Sequence, residues 1–434
     1  MNKLSIFFQN KFVPIMVALG ENRYMQAVRN GMMMIIPFII IGSIFTVIAS
    51  FPSEAWTDLI EPYAGMINVG NTMTFGMISL IAVASIGYHM AVVHKIDPIG
   101  TSVTALVGFL VLQVNTEDFS VMTSNFGASG LFTAIAVGLL CAETIVFFYK
   151  RKITIKMPKG VPSYVSDSFT VIVPALVFIT FLWFVRVFLN FDVNLLIERI
   201  LSPLVFGLDT LPGILILTFF TSLIWVCGIN GDNIFAGIVY PVLLGYLANN
   251  SAAFATGETI PHVTAYGFFY FNLWLGGTGA TVGLVILMLR SRSKTYRSLS
   301  KICTPPTVFN INEPLVFGFP IMLNPVVILP YVLTPVILQA ATYGLMYYGL
   351  IGKVVVAIPW TTPPLLSGYL STGGDIRAVV WQAISILISV CVYYPFFKVS
   401  EKAKLIEEQE LEAAANAKMK DNATKKMVNE EVSA

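Results

Sequence analysis

Apolar runs of near-membrane length alternate along the chain with short polar breaks. A helix needs about 20 apolar residues to cross a bilayer. Ten runs approach that length: 31–50, 77–93, 99–114, 128–149, 163–190, 212–229, 234–249, 264–289, 325–350 and 377–397. Residues 1–30 alternate apolar and charged positions, which predicts a short helix lying along the membrane surface. Residues 51–71 carry acids and no Lys or Arg, and 191–210 are mixed, so both predict segments outside the bilayer.

Two stretches break the pattern. Residues 302–323 and 355–374 are apolar overall but crowded with Pro, Gly and polar side chains. Broken backbone facing lipid would leave N–H and C=O groups unpaired at several kcal/mol each, so such segments must sit inside protein or line a cavity. They predict two re-entrant hairpins. The expected fold class is an all-α integral membrane protein with about ten transmembrane helices and two re-entrant hairpins. The expected division is an N-terminal membrane domain over 1–160, a connecting segment over 161–210, a C-terminal substrate domain over 211–397 and a charged tail over 398–434.

Composition agrees. The chain is 56% hydrophobic and 12% charged, with a mean hydropathy of +0.77, where soluble domains carry about 25% charged residues. The net charge of +2 says less than its placement. Residues 150–160 hold five bases and no acid, and Arg290, Arg292, Lys294, Arg297 and Lys301 form a second acid-free cluster. Such loops are cytoplasmic, and counting crossings from them puts both termini inside. No cleavable signal peptide is expected, because Lys3, Lys11, Glu21, Arg23 and Arg29 interrupt the first 30 residues. The tail, with seven lysines and eight acids, reads as a solvated helix or a disordered segment. Arg186 either snorkels to the interface or serves a polar cavity. Cys141, Cys227, Cys303 and Cys391 lie far apart without a CxxC pair and read as small core residues.

Three polar, Gly/Pro-broken elements fall in the second half: 227–233, 309–320 around Glu313, and 359–374 around Trp360. Transporters place broken helices where loose backbone groups and half-helix ends can face substrate. The polar residues there are mostly neutral amides and hydroxyls, with a carboxylate and a tryptophan. That inventory suits a polyol, which needs several hydrogen-bond partners and a flat apolar face. Glu313 could pair with the basic loop 290–301, cap a hairpin helix, accept from a sugar hydroxyl, or act as a general base. Trp360 could pack, anchor at the interface or face the ring. Asn230 and Asp232 could satisfy local backbone groups, with Asp232 capping a helix that starts at Asn233. His89, His94 and His262 read as interfacial. No GxxxxGK[ST] motif is present, which disfavours ATP-driven transport by this chain. No metal site, cofactor or nucleic-acid surface is expected.

Phe309-Asn310-Ile311-Asn312-Glu313-Pro314, continuing through Phe317-Gly318-Phe319-Pro320 to Leu323-Asn324-Pro325, resembles the signature of phosphotransferase-system enzyme IIC subunits of the lactose/cellobiose/diacetylchitobiose family. Val161-Pro162 to Ser168-Phe169, Trp225 to Gly231, Gly276-Gly277-Thr278-Gly279-Ala280 and Pro359-Trp360-Thr361-Thr362-Pro363-Pro364 extend the resemblance over nearly the whole chain. It implies a bacterial plasma-membrane sugar permease that is a homodimer, with an N-terminal scaffold and an elevator-like C-terminal domain. It also implies IIA and IIB partners, the IIB phosphocysteine phosphorylating the 6-hydroxyl of a β-linked disaccharide while this chain itself is never phosphorylated. Carried over by position, the site residues are Glu313 near the reacting hydroxyl and Asn312, Trp360, Asn230, Gly231 and Ser168 around the sugar. Relatives commonly read Gly-Ile-His-Gly where this chain has Gly228-Ile229-Asn230-Gly231, and Tyr164 stands where a smaller polar residue is expected. Asn230 cannot take a proton at neutral pH, which leaves Glu313 as the candidate base. An ion-coupled symporter with Glu313 as proton carrier, and a non-transporting sugar sensor, are the alternatives.

Overall fold

The computed structural model describes residues 14, 18, 21–49, 54–155, 163–228, 230–319, 321 and 324–432, and the described residues are helical or irregular, with a single isolated β-bridge between Val114 and Val121. Among them, seven helices are long and apolar enough to cross a membrane, or eight if the pair Val193–Leu208 and Leu211–Val226, bent by 79°, forms one span. The other two expected runs account for the difference. Pro98–Leu112 is shorter, and 264–289 is broken in its middle.

In the N-terminal half the helix Ile78–His94 is central, packed by Arg23–Met33, Pro98–Leu112 and Leu131–Lys150. Small residues permit the close approach: a Cβ at Gly31 would lie 2.5 Å from Ile86, and one at Gly138 would lie 3.1 Å from it. Lys95 ends the helix in the left-handed conformation, and Asp97 caps the next by accepting from the Ile99 and Gly100 amides, with Pro98 in its first turn.

Residues 23–30, expected on the surface, belong instead to this core. Ala27 and Val28 are buried against the bundle, and the polar positions are used by a cluster at one end. There Glu143 accepts from the Tyr24 hydroxyl at 2.9 Å and pairs with Arg23 at 3.3 Å and His94 at 3.2 Å. Arg186 does not snorkel: it is 6% exposed on a π-helical turn and donates to the Val114 carbonyl at 2.8 Å. Within the stretches expected outside the bilayer, 54–60, 64–72 and 193–208 are helical. Cys391 is exposed and so is not a core residue, whereas Cys141 and Cys303 are buried.

In the C-terminal half, Leu211–Val226 packs on Pro325–Tyr347, and Val282–Leu289 packs on the last helix. That helix, Ile376–Val432, runs 57 residues without interruption from the final apolar run into the tail. Its first turns beyond the apolar run are docked. Glu401 accepts from Ser291 Oγ and the Arg292 amide, both at 2.7 Å, and Glu408 accepts from Ser293 Oγ at 2.7 Å and the Thr295 amide at 2.9 Å. The two carboxylates thereby hold the start of the helix Lys294–Val308, which leads directly to the break before Glu313.

Glu401→Ala leaves these buried donors unpaired, which costs about 1–3 kcal/mol; thermal melts of the purified protein will show a lower Tm. Lys404→Ala, which removes an exposed pair with Glu407, will shift it little, since such pairs contribute about 0–1 kcal/mol. Hydrogen bonds from Ser293 and Thr295 hold the Glu408 carboxyl down to about 2. A depressed carboxyl stabilises fully above its ordinary value and loses that contribution as pH falls through the folded one. Protease protection of the tail will therefore hold at neutral pH and weaken as pH falls from about 4.5 toward 2.

Candidate functional site

The broken run 264–289 forms the floor of the site. A short helix, Phe268–Asn272, is followed by Gly276, Gly277 and Gly279 at φ +78°, +101° and +87° before the helix restarts at Val282. Side-chain-bearing residues rarely adopt these angles, which is why glycine stands there. The turn closes on itself through Thr281 Oγ1, which donates to the Gly276 carbonyl at 2.8 Å.

Two asparagine amides join this floor to the other breaks. The Asn310 carbonyl oxygen accepts from the Gly276 amide at 3.1 Å, while its Nδ2 donates to the Trp360 and Thr362 carbonyls at 2.8 and 2.9 Å. Asn312 Nδ2 donates to the Thr278 carbonyl at 2.7 Å and to Thr281 Oγ1 at 3.0 Å. Both side chains are buried, at 6% and 3% exposure. An amide suits the task because it carries donors and an acceptor together. Gly277 lets Asn312 approach, since a Cβ there would overlap the Asn312 side chain.

The break at 227–230 adds a carboxylate. Asn230 is the cap of the helix Gly231–Thr256, accepting from the Asn233 amide at 3.0 Å. Asp232 is therefore not the cap: it points inward, accepting from Trp225 Nε1 at 2.8 Å and Thr278 Oγ1 at 3.4 Å, with Trp274 also against it. Gly231 is required by packing, because a Cβ would overlap the Thr221 carbonyl. Asp232 and Trp274 border a cavity of about 30 Å³, room for about one water. Trp274 meets Trp360 edge to face, with ring centroids 5.6 Å apart. Fully buried Tyr331 lies beside Asn312, within electrostatic reach of both Asp232 and Glu313.

Of the residues expected from the sequence, Asn312, Glu313, Trp360 and the Asn230–Gly231 break fall around this one assembly. Glu313 opens the helix Glu313–Gly318 and is exposed; among the described residues its carboxylate has no hydrogen-bond or ion-pair partner. In the basic loop, backbone amides and serine hydroxyls bond to Glu401 and Glu408 instead. Trp360 is 42% exposed. Ser168 falls in the helix Ser163–Trp183, and its side chain lies outside the described residues. The sequence reading missed Asn310, Trp274 and Thr278 as parts of the site. The alternation of Asn310 and Asn312 within a break was the available signal for the clamp.

The sequence from residue 29 to 335 matches the family model described as "Phosphotransferase system, EIIC". The chain belongs to the phosphotransferase-system EIIC family. It is 34% identical to the lichenan permease IIC component of Bacillus subtilis (strain 168), over 95% of this chain and 97% of the relative. The cellobiose-specific EIIC component of Geobacillus stearothermophilus is 32% identical over 94% and 97%. Among solved structures, the crystal structure of the transporter ChbC, the IIC component from the N,N'-diacetylchitobiose-specific phosphotransferase system, superposes with a TM-score of 0.88 at 31% identity, covering 93% of this chain and 99% of that one. This EIIC is thus a multi-pass, all-α membrane protein of a sugar phosphotransferase system, and its broken segments belong to a sugar permease.

Gly277→Ala will abolish sugar binding, measured by calorimetry, because it displaces Asn312. Gly349→Ala is the control: it shares a positive φ of +70° but has open space around it. It will cost only the backbone term of about 1 kcal/mol and leave binding intact.

Proposed function

We propose that this EIIC translocates a β-linked disaccharide and presents its 6-hydroxyl to a cytoplasmic IIB subunit for phosphorylation. The relatives named for lichenan, cellobiose and N,N'-diacetylchitobiose support a β-linked glycoside. The observation that carries the reading is Glu313, an exposed carboxylate with no hydrogen-bond or ion-pair partner among the described residues, on the same clamp as the exposed indole of Trp360. A sugar ring over Trp360 places hydroxyls where Glu313 can accept from them, with Asn230 and Gly231 at the neighbouring break. Ser168 is assigned to the same sugar site through the family resemblance alone.

In the transfer, the sugar oxygen attacks phosphorus, the S–P bond of the IIB phosphocysteine breaks, and its thiolate leaves. Glu313 takes the hydroxyl proton, since Asn230 offers no basic site. Phosphorylation traps the sugar inside and makes uptake vectorial, with IIA resupplying IIB. Transport is elevator-like: residues 211–397, including the re-entrant hairpins 302–323 and 355–374, move against a 1–160 scaffold that also forms a homodimer. The acid-free loops support a cytoplasmic side at 150–160 and 290–301, and both termini inside. Relatives that are EIICB components, such as the lactose-specific protein of Lacticaseibacillus casei, support close work with IIB.

Glu313→Gln will keep sugar binding within about tenfold while lowering phosphoryl transfer by about 10²–10⁴, read as sugar phosphate formed with purified IIB. Near-wild-type transfer in that variant overturns the base assignment. Vesicle uptake will require phosphoenolpyruvate and the soluble phosphotransfer proteins and will survive a protonophore; protonophore-sensitive uptake without sugar phosphate would establish a symporter. Asn230→His will change the sugar spectrum or raise the rate, and an unchanged spectrum and rate would remove position 230 from the site.

A further inference from the structure

The helix Val193–Leu208 is amphipathic in an unusual sense. Asn194, Glu198 and Ser202, at four-residue spacing and so on one helix face, line a cavity of about 440 Å³. Leu195, Ile200 and Phe206 are exposed, the last two at 64% and 76%. A helix at the surface of a soluble protein turns its polar stripe to water and its apolar stripe to the core. Here Asn194, Glu198 and Ser202 line the cavity together with Ile197, Leu201, Val205 and Phe206, while Leu195 and Ile200 lie outside its lining, and Glu198 and Ser202 are exposed, so the cavity is open along this helix.

The opposite wall comes from the helix Gly231–Thr256 and the loop after it. His262 stacks on Tyr246 with ring centroids 4.2 Å apart and planes at 22°. The histidine is held at both nitrogens: Nδ1 lies 2.9 Å from Asp209 Oδ2, and Nε2 lies 3.4 Å from Asn249 Nδ2. Asp209 is itself fixed by the Val263 and Thr264 amides at 3.0 and 2.9 Å. The result is an aromatic pair beside Asn249 that lines the same cavity as Glu198 and Ser202.

This chamber is separate from the Glu313 site. Asn249 stands 18 residues beyond Gly231 on one helix, about 27 Å along its axis. The chamber also meets the start of the helix Leu131–Lys150, whose other end leads into the basic loop. By the charge rule it therefore opens on the outer side. Its volume lies within the roughly 300–1,000 Å³ of small-molecule sites. Its lining repeats carbohydrate chemistry: a carboxylate, amides and hydroxyls for a polyol, and flat rings for its apolar face.

We propose that this cavity is an outer capture site for the glycoside, occupied before the sugar reaches the Glu313 site. The proposal rests on the disaccharide reading above. Glu198 and Asn249 bind sugar hydroxyls, and the stacked Tyr246–His262 pair forms the wall against the ring.

The test uses the full chain in nanodiscs with cellobiose, lactose and N,N'-diacetylchitobiose as probes, reading amide hydrogen exchange at 194–206 and 310–316. At least one sugar will slow exchange at both segments, and Trp360→Ala will remove only the protection at 310–316. Combined Glu198→Gln and Asn249→Ala will raise the half-saturating sugar concentration for vesicle uptake about tenfold or more, each tenfold corresponding to 1.4 kcal/mol. Phosphorylation in detergent, where the sugar reaches the inner face freely, will stay unchanged. Protection at 310–316 alone, or unchanged half-saturation in the double variant, overturns the outer site and leaves the disaccharide reading standing. Protection at 194–206 that follows added phospholipid rather than sugar identifies a lipid site and also overturns the proposal. No protection at either segment and no sugar phosphate formed overturns both readings.

Discussion

The C-terminal half depends on a hydrogen-bonding constraint. Glycine-rich breaks free backbone groups in surroundings that offer little water, and each buried group left unpaired costs about 1–3 kcal/mol. Asn310 and Asn312 answer that need by bonding across three segments far apart in sequence. Because all but one of these partners are backbone atoms, the exception being Thr281 Oγ1, the clamp chiefly fixes main-chain positions. Trp360, Thr278 and Glu313 inherit their places from it. The tail contributes from the other end, since Glu401 and Glu408 hold the start of the helix that leads into Asn310 and Asn312.

The two carboxylates near Tyr331 differ in kind. Asp232 is buried among donors from two tryptophans and a threonine, so its oxygens are already occupied by the protein. Through Trp274 it also steadies the edge-to-face contact with Trp360. Glu313 is exposed and has no such partners among the described residues. A saturated carboxylate stabilises a site, whereas a free one can engage a ligand. This contrast supports Glu313 over Asp232 as the group that meets the reacting hydroxyl, and it stands whether position 230 carries an asparagine or a histidine.

Much of this was legible in the sequence. Long apolar runs located most of the helices long and apolar enough to cross a membrane, and the Asn-Glu-Pro stretch identified the family. Where the reading failed, a local signal had two structural meanings. The alternating charges of 23–30 suggested a surface helix, but Arg23 and Tyr24 instead meet Glu143 while Ala27 and Val28 enter the core. The run 264–289 has enough apolar residues to span, yet positive φ at three glycines breaks it, and hydropathy does not register backbone conformation. Asp232 two residues into a helix looks like a cap until Asn230 is seen to occupy that role. Asn310 was visible as part of a motif, but which distant carbonyls it bonds is a tertiary fact with no local signature.

The central claim is that the three breaks form one glycoside site with Glu313 as its free carboxylate. The most direct measurement is an experimental structure of the full chain with a bound β-linked disaccharide. The account predicts a sugar ring against Trp360 and a sugar hydroxyl within about 2.6–3.2 Å of the Glu313 carboxylate, with Asn310 still bonded to the Trp360 and Thr362 carbonyls. A sugar seated away from both residues, or Glu313 turned to pair with the basic loop 290–301, would contradict it.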